Sequence, residues 1–299
     1  HVSASRLVYT DQKDWTPNNA DEEENILKYS YKGALAKSVN TVAVKVLEEV
    51  GLKETITLAR SLGIESDIPE LPSIALGTPS ISLFEMTQAY AALANEGLVR
   101  EPRFITKIEN NQGELLAEFS ADNGKREISE ETTALITEMM REVVNTGTGS
   151  RIRWKYSLSN DLAGKTGTTQ SNADGWFIGY NPAFVVGIWV GADDPRVRFR
   201  SSRLGSGANM ALPIFAKLFK QMNSDPKLAS ISAAKFPKPS PALLAQLACD
   251  DFKDDKNFIQ NLLGLEKKEK IKKKEFGEKK KGFFQKVGDF FKSKKKKKN

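Results

Sequence analysis

The sequence predicts an α+β or three-layer α/β/α fold, with one antiparallel sheet flanked by helices. Three observations predict it. Helical patterning dominates residues 26–95 and returns at 129–144. Three strand-like runs, at 162–169, 175–180 and 184–190, follow one another across short turns, as in an antiparallel meander. An amphipathic helix at 212–222 comes after them.

The elements read in order as follows. Residues 1–25 are polar and irregular, with Trp15-Thr16-Pro17-Asn18-Asn19 as a turn. Helical patterning begins at Ile26, leads through Gly33 and Ala36, and breaks at the polar Ser38-Val39-Asn40. It resumes through Val42, Val46, Leu47 and Val50 until Gly51 ends it. A further helix covers residues 53–62 and stops at Gly63. Residues 69–79, rich in Pro, Ser and Gly, form a loop, and 82–95 a helix with Phe84, Met86, Tyr90 and Leu93 available for packing. Runs at 104–109 and 114–119 flank Asn110-Asn111-Gln112-Gly113 and predict a β-hairpin. Ser129 caps the 129–144 helix, with Glu130 and Glu131 in its first turn and Thr146-Gly147-Thr148-Gly149 after it. Trp176, Phe177, Phe184 and Trp189 are expected in the sheet core. Pro226, Pro237, Pro239 and Pro241 mark residues 223–250 as a linker, and 251–299 is a lysine-rich tail of low complexity.

Composition narrows the chemistry. With 299 residues the chain can bury a sizeable core. No run of about 18 apolar residues and no signal peptide is visible. The chain begins at His1 and reads as a piece of something longer. Cys249 is the lone cysteine and His1 the lone histidine. A Ser-His-Asp triad, a Cys-His dyad and the common zinc sites are therefore set aside, and no metal or cofactor is expected. Acyl-transfer or hydrolytic chemistry must rest on serine, lysine or carboxylates. The net charge of +7 is a local property: residues 265–299 carry 16 lysines and five acidic residues, so the other 264 residues sum to −4. Basicity thus gives no argument for nucleic-acid binding by the body, and none is expected.

Lys165-Thr166-Gly167-Thr168-Thr169 lies on a predicted strand behind Leu162-Ala163-Gly164. A cation and three hydroxyls along one strand suit a carboxylate ligand. The glycine admits close approach to the backbone, and an exposed edge can pair with an extended peptide. The alternative is a solvated surface strand. Ser38-Val39-Asn40, alone, reads equally as a cap or local turn.

Taken together and in this order, the two motifs resemble the Ser-x-Asn and Lys-Thr-Gly motifs of the penicillin-binding proteins. The resemblance runs through WTPNN, GALAKSVNTVAVKVLEEVG, PSIALGTPSISLFEMTQAYAALANEG, VVNTGTG, GKTGTTQSNADGWFIGYNP and GANMALPIFAKLF, and is to the bifunctional class A members. It implies the penicillin-binding transpeptidase or serine β-lactamase-like fold, truncated at the N-terminus, with residues 1–222 as a partial transpeptidase domain. The family's first motif, Ser-x-x-Lys, is absent from residues 1–37. It recurs at Ser224–Lys227, Ser232–Lys235 and Ser293–Lys296, in settings read as chance matches. The nucleophile is thus expected upstream of His1, and the chain alone is expected to be inactive.

The resemblance implies a D,D-transpeptidase of peptidoglycan, working through an acyl-serine on stem peptides ending in D-Ala-D-Ala and bound by β-lactams. Ser38 would shuttle a proton to the leaving amine, and Asn40 would bind the substrate amide and the absent lysine. Lys165 would supply positive potential, and Thr168 N–H half of the oxyanion hole. Thr166, Gly167 and Thr169 would bind substrate. Gly147-Thr148-Gly149 would shape one end of the groove or serve only as a helix stop. The setting implied is the periplasmic face of the inner membrane, with the anchor outside this chain. A non-catalytic β-lactam-sensing or peptide-binding module on the same fold is the alternative, and a serine β-lactamase a more distant one. Phe283, Phe284, Val287, Phe290 and Phe291 fall at helical spacing among lysines, a pattern for contact with an anionic membrane surface or for a solvated tail. Loss of the serine-bearing helix should leave apolar surface exposed and stability marginal.

Overall fold

The computed structural model of the chain describes residues 1–249, Pro195 excepted, and residues 271–277. The N-terminal segment is more ordered than its sequence suggests. It forms β1 (Val2–Ser3), β2 (Leu7–Tyr9) and, after a 3-10 turn at Glu22–Ile26, β3 (Lys28–Tyr29), which pairs with β1. The predicted helical start at Ile26 is therefore replaced by a turn and a short strand. Two-residue strands carry no readable period. Side chains hold them: Asn19 donates to Ala4 O (3.3 Å), Asn25 Oδ1 (3.0 Å) and Thr41 Oγ1 (3.1 Å), all buried.

Helix α1 (Tyr31–Lys37) starts at Ser30, whose hydroxyl accepts from Gly33 N. Helices α2 (Asn40–Val50) and α3 (Leu52–Ser61) follow, separated by Gly51 at φ +102°. The predicted loop at 69–79 contains a 3-10 turn, Pro72–Leu76. Helix α4 (Leu83–Ala94) opens with a reciprocal cap between Ser82 and Glu85. Then β4 (Leu98–Val99) pairs with β7 (Lys125–Arg126), enclosing the predicted hairpin of β5 (Lys107–Glu109) and β6 (Leu115–Glu118). Ser129 caps α5 (Glu130–Asn145), and α6 (Arg151–Trp154) follows one turn later.

The predicted meander is present as β8 (Ala163–Thr168), β9 (Asp174–Asn181) and β10 (Phe184–Gly191), in the order β10-β9-β8. Short helices α7 (Ser202–Gly205) and α8 (Gly207–Met210) lead into α9 (Leu212–Ser224). One sheet face carries Phe177 and Ile188, packed with Phe215, Phe219 and Leu212 of α9; Phe177 and Phe215 meet edge to face at 4.9 Å. The other carries Ala163, Tyr180 and Val185, packed with Met140 of α5, Tyr90 and Leu93 of α4 and Leu35 of α1. Period-2 alternation along the strands divides these two cores. The result is the three-layer α/β/α arrangement, with α1, α4 and α5 on one face and α9 on the other.

Four readings need correction. Trp189 is 38% exposed, and Trp176, its register partner, is only partly buried. Phe177 is fully buried, and Phe184 packs against the α9 core from its edge. The first part of the predicted linker is docked: α10 (Ala229–Ser232) packs on α9, Asn181 donates to Ile231 O (2.8 Å), and Phe236 stands edge-on to Tyr180 at 5.6 Å. A short helix, α11 (Pro241–Leu244), follows. Within the lysine-rich tail, β11 (Lys272–Lys274) pairs in parallel with β2. Phe283, Phe284, Val287, Phe290, Phe291 and the Ser293–Lys296 match lie outside the described residues.

Candidate active site

Ser38 owes its position to the way α1 ends. Val39 N bonds Ala34 O (2.9 Å) and Ser38 N bonds Leu35 O (3.2 Å), the paired bonds of a Schellman stop. The residue between helix and exit must adopt left-handed φ/ψ, a place usually taken by glycine; here it is Ser38, at φ 59° and ψ 48°. The serine hydroxyl is thereby presented on a backbone that a non-glycine residue adopts at a cost of roughly 1 kcal/mol.

Asn40 begins α2 two residues later. Its side-chain NH2 donates to Asn18 O (2.7 Å), while Asn19 Oδ1 receives Thr41 N (3.0 Å). The Trp15–Asn19 turn and the Ser38–Thr41 bend are thus bonded to each other. Asn18 and Asn19 were read only as turn residues, and their clamping role carries no local sequence signal.

Lys165 reaches the same place from β8. Its ammonium donates to Ser38 Oγ and to Thr166 O (3.0 Å). Among the described residues no carboxylate forms an ion pair with it. Burial pushes its pKa down to about 8, because an ammonium without a counter-charge is poorly solvated there.

The strand carries the other predicted residues onward. Thr166 and Thr168 alternate with Lys165 and Gly167 along β8. The Thr166 hydroxyl lies 2.6 Å from Thr148 Oγ1, and Thr148 N donates to Ala36 O (3.0 Å). The turn after α5 therefore ties α1 to β8. Gly147 is required there, since a Cβ would stand 2.2 Å from Ala36 O. Thr168 Oγ1 accepts from Gly207 N (3.0 Å), and a Cβ on Gly207 would lie 2.3 Å from both Gly167 O and Trp176 O. Thr169, just beyond the strand, accepts from Asp174 N (3.1 Å). Gly167 is paired with Trp176, which pairs in turn with Trp189. The Trp189 indole donates to Asp174 Oδ2 (3.0 Å).

The structure thus brings Lys165 to Ser38, holds Asn40 two residues further on against Asn18, and sets Thr166, Gly167, Thr168 and Thr169 in file along and just beyond β8. β8 is the last strand of its sheet, so its outer edge lacks a neighbouring strand among the described residues. Thr148 and Gly207 act as builders of the site; the VVNTGTG and GANM segments pointed to them only through resemblance. Among the described residues, the two downstream Ser-x-x-Lys serines bond elsewhere. Ser232 is 1% exposed and its hydroxyl bonds Ala229 O (3.1 Å), and Ser224 bonds Lys220 O (3.1 Å).

Residues 2–218 match the family model for the penicillin binding protein transpeptidase domain. Penicillin-binding protein 1A of Aquifex aeolicus is 34% identical over 260 residues, spanning 83% of this chain and 34% of that protein. The Neisseria meningitidis protein of the same name (serogroup A) is 32% identical over 211 residues, spanning 67% of this chain and 25% of its own length. The chain therefore spans 34% and 25% of these two relatives' lengths. Among solved structures, penicillin-binding protein 1A of Haemophilus influenzae superposes with a TM-score of 0.66 at 25% identity, covering 79% of this chain and 39% of that one. PonA1 of Mycobacterium tuberculosis gives 0.66 at 25% identity, covering 80% and 64%.

Proposed function

The chain belongs to the penicillin-binding protein transpeptidase family, and from that premise we propose that it supplies the Ser-x-Asn and Lys-Thr-Gly half of a peptidoglycan D,D-transpeptidase. The observation that carries the proposal is the direct bond from Lys165 Nζ to Ser38 Oγ, on the sheet edge where an extended stem peptide would lie.

In this reading a Ser-x-x-Lys serine from sequence outside residues 1–299 attacks the penultimate D-Ala carbonyl. The C–N bond to the terminal D-Ala breaks, and that amine leaves with a proton. Lys165 donates to the Ser38 oxygen, so the Ser38 hydroxyl proton is turned away from Lys165 and toward the leaving nitrogen. With a pKa of about 8, Lys165 remains mostly protonated at neutral pH and sits close enough to that value to relay a proton. Asn40 already spends its NH2 on Asn18 O, which leaves its carbonyl oxygen for the substrate amide or the external lysine. Thr168 N–H forms half of the oxyanion hole, and the backbone N–H of the external serine the other half. Thr166, Gly167 and Thr169 bind the substrate terminus and its backbone. A second amine then takes the acyl group. Removing one oxyanion donor costs roughly 3–4 kcal/mol of barrier, so residues 1–299 without the external serine carry out no acyl transfer.

Stem peptides and β-lactams are the ligands in this proposal, and the periplasmic face of the membrane its setting. No helix among the described residues is long and apolar enough to cross a membrane. The test is fluorescent-penicillin labelling of the longer polypeptide and of residues 1–299 side by side, with the modified serine located by peptide mass spectrometry. The expected result is a label on a serine upstream of His1 and none on residues 1–299. A label at Ser38 or elsewhere in this chain would sink the assignment of roles.

A further inference from the structure

The C-terminal tail returns to the N-terminal edge of the body and makes contacts of a specific kind there. Lys272, Lys273 and Lys274 run parallel to Leu7, Val8 and Tyr9. Beyond the strand pairing, side chains from Lys273 to Phe276 alternate as a bound extended peptide requires. Lys273 and Glu275 point out and are exposed, whereas Lys274 and Phe276 are partly buried. Lys274 Nζ bonds Glu48 Oε2, whose side chain is 9% exposed, and lies 5.7 Å over the Tyr9 ring. Phe276 stands edge-on to Tyr9 at 5.5 Å, and its N–H donates to Asp11 Oδ1 (2.9 Å). Gly277, at φ +80°, turns its N–H onto the other Glu48 oxygen (3.0 Å).

The receiving side is built for such a ligand. Tyr9 is fully buried beneath Phe276 on one side and stacks with Trp15 at 6.0 Å on the other. Glu48 receives a cation and a backbone donor from residues 274–277; among the other described residues the Tyr9 hydroxyl bonds it, at 3.5 Å. Four distinct groups of the body are matched at once: strand edge, aromatic platform, Asp11 and Glu48. A run of lysines held by charge alone would not single out Lys274 over Lys273, nor need the phenylalanine and the glycine.

We infer that the β2 edge, Tyr9, Asp11 and Glu48 form a binding site for an extended peptide of pattern Lys-x-Phe-Gly, filled in cis by the chain's own residues 274–277. The inference is independent of the acyl-transfer reading, since none of these groups belongs to the Ser38–Lys165 site. Because the ligand is tethered to its site, it faces an effective concentration on the order of millimolar, and even modest intrinsic affinity keeps it bound.

Amide hydrogen exchange on the complete 299-residue chain tests this. Amides of residues 271–277 are expected to exchange at least about tenfold slower than unstructured amides. K274A and F276A should abolish that protection, and K273A should leave it. Both tail variants lie outside the body and cannot unfold it. Exchange at the unstructured rate in the unmodified chain, or equal effects of K273A and K274A, overturns the inference. Protection that rises with protein concentration overturns the cis assignment in favour of a partner copy. A second arm uses a labelled peptide of residues 269–279. The F276A chain, with its site vacated, should bind it at least about tenfold more tightly than the unmodified chain, and adding E48Q should remove the binding. Equal binding to all three chains would refute the site.

Discussion

The ammonium of Lys165 donates to the hydroxyl of Ser38 across 127 residues of sequence, and each group occupies a place its residue type ordinarily avoids. Ser38 holds a glycine conformation, and Lys165 is a buried cation that forms no ion pair among the described residues. Both features cost stability, a pattern that natural proteins show at functional sites.

Substitutions at Ser38 separate these two effects. S38G and S38A both lose the hydroxyl, but only alanine keeps the left-handed strain. S38G should therefore be more stable than S38A by about 1 kcal/mol in urea denaturation at pH 7. Equal midpoints would mean that the backbone at Ser38 is not strained.

Lys165 sets a pH dependence whose sign follows from linkage. Its folded pKa of about 8 lies below the roughly 10.4 of an unfolded lysine. Between these values the unfolded chain binds the extra proton, so stability rises with pH through that window and the penalty is fully felt below about 8. K165M should gain on the order of 1–3 kcal/mol at pH 7 relative to the unmodified chain, less at pH 10. Denaturant titrations of both proteins at pH 7 and pH 10 read the difference, and a pH-independent gap would contradict the buried-ammonium account.

Glu85 works in the opposite sense. It accepts from the Ser66 hydroxyl (2.6 Å), the Ser82 hydroxyl (2.6 Å), and the backbone N–H groups of Glu65, Ser66 and Ser82. These bonds, the Ser66 and Ser82 hydroxyls foremost, hold its carboxyl well below the usual carboxylate range. Its contribution is present above about pH 4 and fades as pH falls further. E85Q should lower the melting temperature at pH 7, and the gap to the unmodified chain should narrow below pH of about 4. S82A, which removes both the cap and the hydroxyl bond to the Glu85 carboxylate, should cost about 1–2 kcal/mol.

Two glycines hold the site by allowing backbones to touch. A Cβ on Gly147 would meet Ala36 O at 2.2 Å, and one on Gly207 would meet Gly167 O at 2.3 Å. G147A and G207A should each destabilise by about 1–3 kcal/mol, since backbone rather than a flexible side chain must move. G149A, where the nearest atom is at 3.2 Å, is the milder control. Thermal melts of the three variants should rank them accordingly.

The helices and the meander were legible because each has a period long enough to read: α5 spans 16 residues, and β9 and β10 eight each. The strands β1 and β3 span two residues each and are held beside the Asn19, Asn25 and Thr41 network, and the three-residue β2 is held by Trp15 and β11, none of which a local pattern announces. Of the site, Lys165 to Thr169 was legible as a motif on a strand. Ser38 was legible only through its partner motif, because a serine in a Schellman stop looks like any polar break. Prolines marked 223–250 as a linker, yet Ile231, Ser232 and Phe236 anchor its first part through contacts to Asn181 and Tyr180 that lie about 50 residues away in sequence. Trp189 was misplaced because alternation fixes a face but not how fully that face is covered.

The sheet and the site differ in how far apart their parts lie along the chain. All pairing among β8, β9 and β10 is made within residues 163–191, by two adjacent hairpins. Hairpins of this kind close in about 1–10 μs, whereas contacts that close long loops come later. Lys165 thus takes its place through local pairing, whereas its bond to Ser38 closes a separation of 127 residues. During synthesis Ser38 leaves the ribosome first, and its partner follows 127 residues later. The α1–α2 unit must therefore be held by its own contacts, the Asn19 and Asn40 clamps among them, until the sheet is made.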